Sequence, residues 1–152
     1  MKEEMIFNIL EKARANTLQN AEGITEEAAD RMPEGFNNTI RWHLGHIYVA
    51  TERLCMQLSG REAACSEEEA GFFAKGTKPG DWSKKPPTLD EILAKLKEQP
   101  ARIRQQLEGH LNDPLAVPFQ NFQTVGEVVL YSAYHEGVHS GYASALKRIV
   151  GN

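Results

Sequence analysis

Apolar residues recur three or four positions apart in four long segments, and this spacing constrains the fold more than any other feature. Residues so spaced share one face of an α-helix, which gives each segment a single face to bury. We predict helices over about 3–20, 38–59, 88–109 and 124–150. Patterns typical of strands are nearly absent, so the sequence predicts an all-α four-helix bundle. Its 152 residues suit one domain covering 1–152.

Local signals mark the helix ends. Asn38 is the predicted N-cap of the second helix. The sequences TLDE (88–91) and TVGE (124–127) are capping boxes that open the third and fourth helices. Pro100 lies inside the third helix and predicts a kink or a break there.

The connection between Gly60 and Pro87 is too long for a simple turn between neighbouring helices. It contains SEEEAGFF, a candidate short helix, and its length suits a crossover between parallel helices or a lid. Its aromatic residues are Phe72, Phe73 and Trp82. We favour a role in pinning the loop to the bundle, and the alternative is that they wall a pocket.

The composition argues against several classes of protein. The formal net charge is -4, with acidic and basic residues mixed and no basic stripe, which argues against nucleic-acid binding. No apolar run approaches the length of a membrane span, and the first residues do not form a signal peptide. Cys55 and Cys65 form neither a CxxC motif nor a disulfide framework, so we expect a protein of the reducing cytoplasm.

Two histidines, His135 and His139, lie one turn apart in YHEGVHSGY on the fourth helix. Both rings therefore project from the same face, which is the apolar stripe. A buried imidazole needs a hydrogen-bond partner, and a divalent metal can bind both neutral rings at once. The alternative is that both are core histidines bonded to tyrosine or backbone.

The sequence WHLGHI on the second helix supplies a third candidate ligand, His43 or His46. Bundles build metal sites from side chains on facing helices. Helix-wheel counting places His43 nearer the centre of the seam and His46 at its edge, which leaves the choice open. His110 lies at a helix end and is predicted to be a surface or capping residue.

Four further residues lie near these histidines in the sequence. Glu136 is expected to point away from the histidine face, and Glu52 could lie behind His46. For both we favour an exposed helix carboxylate. Tyr131 and Tyr142 flank the histidine pair and could donate to a metal-bound ligand, although core filling is the favoured role.

The motifs WHLGHI and YHEGVHSGY resemble those of the DinB-like superfamily of four-helix metal proteins, which includes the YfiT-like group and the bacillithiol transferases. The resemblance covers essentially the whole chain, including helix order and the long connection. It implies an up-down-down-up bundle, a homodimer, and one divalent metal bound by His46, His135 and His139. His43 occupies a more variable position in the family pattern.

Three neutral ligands would leave a metal its full charge and an open position, where water is acidified or a thiol is held as thiolate. Zinc or nickel is favoured, and iron or copper also suits imidazole. We therefore expect a cytoplasmic metal-dependent enzyme that transfers a low-molecular-weight thiol to a small-molecule electrophile, without nucleic-acid or membrane partners. The alternatives are a non-catalytic metal-binding or stress-related interaction protein, and a metal-free bundle.

Overall fold

The computed structural model describes residues 2–151, and most of them are helical. Within that range the α-helices are α1 Glu3–Asn20, α2 Glu26–Ala29, α3 Ile40–Thr51, α4 Glu67–Phe73, α5 Leu89–Leu107 and α6 Val125–Val150. A π-helical turn, Glu52–Gln57, continues α3, and a 3₁₀ turn spans Pro79–Asp81. Strands β1 Pro114–Phe119 and β2 Phe122–Thr124 pair antiparallel. The mostly helical prediction is confirmed, but the hairpin was not predicted.

The four long helices α1, α3, α5 and α6 enclose the core. α6 packs against α1 and α3, and α5 packs against the same two helices. The apolar stripes meet between them, where Leu44, Leu96 and Leu146 are at most 1% exposed. A second apolar group around Phe7 and Ile103 fills the other end of the bundle.

The predicted helix starts are right for two helices and displaced for the third. Thr88 and Thr124 open α5 and α6 with complete capping boxes, as predicted. The cap of α3 is Thr39, whose Oγ1 accepts from the backbone N–H of Trp42 at 3.2 Å. The predicted cap at Asn38 is therefore wrong by one residue, because the helix begins at Ile40 and Thr39 supplies the side-chain oxygen at its start.

Pro100 does not end α5, so of the predicted kink or break, the break is absent. Proline has no backbone N–H, so the carbonyl of Leu96 loses its helical partner. Arg14 of α1 takes that place, with Nη1 donating to the Leu96 oxygen at 2.6 Å. The proline thus leaves the Leu96 carbonyl oxygen free to accept a hydrogen bond from Arg14, and this bond links α5 to α1.

The long connection contains the predicted short helix as α4, which Ser66 and Glu69 open with a capping box. The rings of Phe72, Phe73 and Trp82 pack on one another, with centroids 5.7–5.8 Å apart. Trp82 Nε1 also donates to the carbonyl of Phe72 at 3.0 Å. Phe73, which is only 2% exposed, fastens this aromatic group to α3, because its ring packs against Gly45 and its carbonyl oxygen lies 2.7 Å from Nδ1 of His46.

Gly45 of α3 lets the Phe73 ring approach the helix backbone. A Cβ added at Gly45 would lie 2.4–2.6 Å from atoms of that ring. We predict that Gly45→Ala lowers the free energy of unfolding by about 1–3 kcal/mol, because the buried ring must move. Gly71→Ala in α4 is the control, since a Cβ there meets nothing within 4 Å. The control should instead raise the free energy of unfolding by up to about 1 kcal/mol, because alanine has a higher helix propensity than glycine. Denaturant unfolding measures both, and equal stability of the two variants would contradict the prediction.

Candidate metal centre

Three histidines from two helices converge on one point. His46 of α3 and the α6 pair His135 and His139 each offer one ring nitrogen, and these nitrogens all lie within 4.8 Å of one another. The Nε2 atoms of His46 and His135 are 3.3 Å apart. Ligands of a tetrahedral zinc ion with Zn–N bonds of about 2.0–2.1 Å lie about 3.3 Å apart. The three side chains therefore fit a divalent ion.

The His46 ring is held from behind by the connection between α3 and α5. Its Nδ1 lies 2.7 Å from the carbonyl oxygen of Phe73. A carbonyl only accepts, so Nδ1 carries the hydrogen and Nε2 keeps its lone pair for a metal. Trp42 stacks on the same ring at a centroid distance of 4.5 Å and an angle of 10°. Both contacts fix the ring before any ion binds.

His43 lies behind the group rather than within it. Its Nδ1 is 3.0 Å from Nδ1 of His139, and its ring stacks on Tyr142 at 5.3 Å. This contact occupies Nδ1 of His139 and leaves Nε2 for a metal. Of the two candidates on α3, the structure thus brings His46 to the α6 pair, although wheel counting had placed His43 nearer the seam.

A cavity of about 440 Å³ opens beside the three histidines. The tip of the β-hairpin walls one side with Phe119 and Gln120, and Ala74–Gly76 of the connection wall another. Tyr131 also borders the cavity, whereas Tyr142 does not. Of the three loop aromatics, none is among the lining residues, so they hold the loop while the residues that follow them form the wall.

Residues 9–143 match the model of the DinB superfamily. The chain belongs to the DinB superfamily. The resemblance inferred from WHLGHI and YHEGVHSGY is thereby confirmed over most of the chain. A search of the curated proteins gave no match. Between residues 2 and 151, no helix of this DinB-superfamily protein is both long enough and apolar enough to cross a membrane.

The two carboxylates next to the centre in sequence are buried, so their prediction as exposed residues is wrong. Glu136 is fully buried and accepts from Arg14 Nε and Thr17 Oγ1, each at 2.7 Å. Its face of α6 packs against α1, so α6 buries a polar face as well as the histidine face. Arg14 falls at stripe spacing between Leu10 and Thr17, and a charge at that position is the signal that could have revealed the pair.

Glu52 is equally buried at the start of the π-helical turn. Its carboxylate accepts from Gln99 Nε2 and from the backbone N–H of Ala64, each at 2.9 Å, and it pairs with Arg102. Gln99 Oε1 also accepts from Arg14 Nη2 at 2.8 Å. One polar network therefore joins α6, α1, α5 and the π-helical turn that continues α3.

His110 behaves as predicted from its place at a helix end. Its side chain is exposed, and Nδ1 lies 2.8 Å from a carboxylate oxygen of Asp113. It takes no part in the centre of this DinB-superfamily protein.

Burial sets the charge state of the histidines. It lowers the pKa of His43 and of His46 to about 4 each, and that of His139 to about 3. Burial also lowers the pKa of His135. Three neutral rings near pH 7 are suitable metal ligands, because coordination requires the unprotonated nitrogen.

We predict that the metal-free protein loses stability as the pH falls from 7 to 5. The unfolded chain protonates these histidines near pH 6.5, whereas the folded chain resists protonation until about pH 4. Protons therefore favour the unfolded state throughout this window. Denaturant unfolding in chelator at several pH values measures the slope. The double variant His46→Gln/His139→Gln should show a smaller slope, and equal slopes would contradict the assignment.

Proposed function

We propose that this protein binds one divalent metal ion through His46, His135 and His139, and that it transfers a low-molecular-weight thiol to an electrophile. The carrying observation is that three neutral imidazoles converge beside an open cavity. The residues found to line that cavity include no carboxylate and no cysteine. Catalytic sites keep three protein ligands and one open position, whereas structural sites are closed by four.

A metal bound to these histidines would supply the positive charge that keeps a thiol as thiolate, which is the nucleophilic form. The protein residues orient the reactants. Trp42, Phe119 and Tyr131 offer aromatic walls that keep water away from the thiol and the electrophile. In the transfer, sulfur forms a bond to the electrophilic carbon. The leaving group departs with its electron pair, and the thiol proton passes to water.

The test is metal analysis followed by a thiol-transfer assay. The purified protein should hold about one zinc or nickel ion per chain and should lose it to chelator. Loss of a thiol to an aryl chloride should be faster with the loaded protein than with the chelated protein or with His135→Ala. Bound metal without transfer would support a non-catalytic metal-binding protein instead. Absence of metal at micromolar zinc would contradict the proposal.

The up-down-down-up order of the four long helices is part of the same proposal. It is supported by Arg14–Glu136 and Asn20–Ser140, contacts that run in the same order along α1 and α6. The contacts of α3 with α6 run in opposite order, because His43 lies by His139 and His46 by His135. An experimental structure with α1 antiparallel to α6 would contradict it.

We also propose a homodimer that uses the groove between α1 and α6. This groove has a volume of about 760 Å³ and lies beside Gly137 and Gly141. Apolar side chains stand exposed on both helices near it, including Met5, Ile9 and Val138. A two-fold dimer would cover these exposed apolar side chains on both subunits. A monomeric sedimentation mass would contradict this proposal.

We also propose a cytoplasmic setting and a small-molecule partner, on the basis of the net charge and the free cysteines. Both cysteines are free, and the net charge is -4, which supports the reducing cytoplasm and a small-molecule partner in place of nucleic acid. Sub-micromolar binding to duplex DNA at physiological salt, or recovery of the protein from a secreted fraction, would contradict this.

A further inference from the structure

The charged side chains that line the cavity beside the histidines are both cationic. They are Arg53, at the π-helical turn, and Lys75, on the connection. The whole chain has more acidic residues than basic ones, 21 against 17. A cavity wall with two cations and no acid is therefore a local reversal of the overall charge. Such walls concentrate ligands of the opposite sign.

Arg53 is exposed and oriented toward the cavity. Its guanidinium lies over the Phe119 ring at 5.6 Å from the centroid, a contact that holds its plane while leaving its N–H groups free. Its neighbour Glu52 does not neutralise it, because that carboxylate points inward and pairs with Arg102. The π-helical turn thus sends adjacent opposite charges to opposite sides.

Lys75 is also exposed, and it reaches the cavity from the connection. In the part of the chain that the structure describes, neither Lys75 nor Arg53 forms an ion pair. Arg14, Arg41, Arg102 and Arg104 all do. The two cavity cations are therefore free to bind an external anion.

We propose that the cavity binds an anionic thiol, with its sulfur toward the histidines and its carboxylate or phosphate group on Arg53 and Lys75. This inference rests on the proposed function for the position of the sulfur, whereas the anion site rests on the two cations. A divalent ion on three neutral rings adds two positive charges to those of Arg53 and Lys75. An otherwise uncharged thiol, bound as thiolate, would compensate one of these four charges, whereas a thiol that also carries two anionic groups would compensate three.

The test uses two small thiols, mercaptosuccinate with its two carboxylates and the uncharged 1-thioglycerol. Cobalt(II)-loaded protein reports binding of either thiol through its sulfur-to-cobalt absorption. Arg53→Gln and Lys75→Gln should each lower the affinity for mercaptosuccinate by about tenfold. The affinity for thioglycerol should stay within about twofold of the wild-type value. Lys78→Gln is the control, because it removes an exposed lysine of the same connection that lies outside the cavity. It should change the affinity for neither thiol. Arg53→Lys keeps the charge and should recover part of the loss.

Further outcomes separate this inference from the proposed function. Full metal content with unchanged mercaptosuccinate affinity in both glutamine variants would overturn the anion site and leave the metal site standing. Equal weakening of both thiols would also overturn it, since the cations would then act on packing alone. If 2-mercaptoethyl phosphate binds more tightly than mercaptosuccinate, the site belongs to a phosphorylated ligand; the reverse assigns it to a carboxylate.

A metal-free measurement decides the anion site even if the wild-type protein takes up no metal. Succinate is titrated into chelated protein while the Nε–H signal of Arg53 is followed by nuclear magnetic resonance. A saturable shift that is lost in Lys75→Gln is the expected result. Absence of any shift at Arg53 up to tens of millimolar succinate would overturn the inference.

Discussion

His46→Ala should abolish tight metal binding, whereas His43→Ala should retain it. His46 Nε2 is one of three nitrogens that converge, so its loss leaves two ligands and removes the α3 side of the site. Among the three converging histidines, His43 is hydrogen-bonded only to Nδ1 of His139, and loss of such a supporting contact typically costs about 10–100-fold in metal affinity. Competition titration with a zinc chelator measures both variants. The loss for His46→Ala should exceed that range.

Two further variants complete the comparison. His135→Ala should match His46→Ala, and His110→Ala should match the wild type because its exposed ring lies outside the group. Loss of metal from the His43 variant with full retention in the His46 variant would reverse the assignment on α3.

Glu136→Ala should lower the free energy of unfolding by about 3–5 kcal/mol, the usual cost of leaving one member of a buried ion pair alone. Arg14 is 2% exposed and would lose its partner carboxylate, and Thr17 would lose its acceptor. Urea unfolding measures the change. Glu98→Ala is the control, since this carboxylate pairs with Arg102 on the surface and should matter by at most about 1 kcal/mol.

Replacing both members of the buried pair separates charge from packing. Arg14→Met/Glu136→Leu removes both charges at similar volume and should be much less destabilised than Glu136→Ala. Equal losses in the double and single variants would show that Arg14 acts through its bonds to Leu96 and Gln99 rather than through the ion pair.

The helices and two of their caps were predictable because their causes are local. The spacing of Ile40, Leu44 and Ile47 and the box Thr88/Glu91 lie within a few residues of one another, and each works without reference to the rest of the chain. The hairpin was missed because its local sequence argues against a strand. Its first strand contains Pro114 and Pro118, residues that argue against a strand in a sequence read alone.

The sequence predicts the α6 half of the candidate site better than the α3 half. Two histidines one turn apart on α6 must share a face, so their pairing follows from the helix period alone. The preference for His46 over His43 depends on how α3 is rotated against α6, which no local pattern contains. The burial of Glu136 likewise depends on Arg14, which lies 122 residues away in the chain. The sequence singled out His46 only through the resemblance of WHLGHI to the family motif, and seam counting missed the burial of Glu136 because it assumes one buried face per helix.

The carbonyl of Phe73 supports His46, and the next three residues, Ala74–Gly76, form a wall of the cavity. One short length of chain therefore serves both the proposed metal ligand and the proposed cavity ligand. A ligand that displaces Ala74–Gly76 should also shift the Phe73 carbonyl oxygen, which sets the tautomer of His46. Loss of the hydrogen bond between that oxygen and His46 should in turn loosen the cavity wall. Ligand exchange and metal release should therefore both depend on movement of this segment. Their rates should change together in any variant that loosens Phe73.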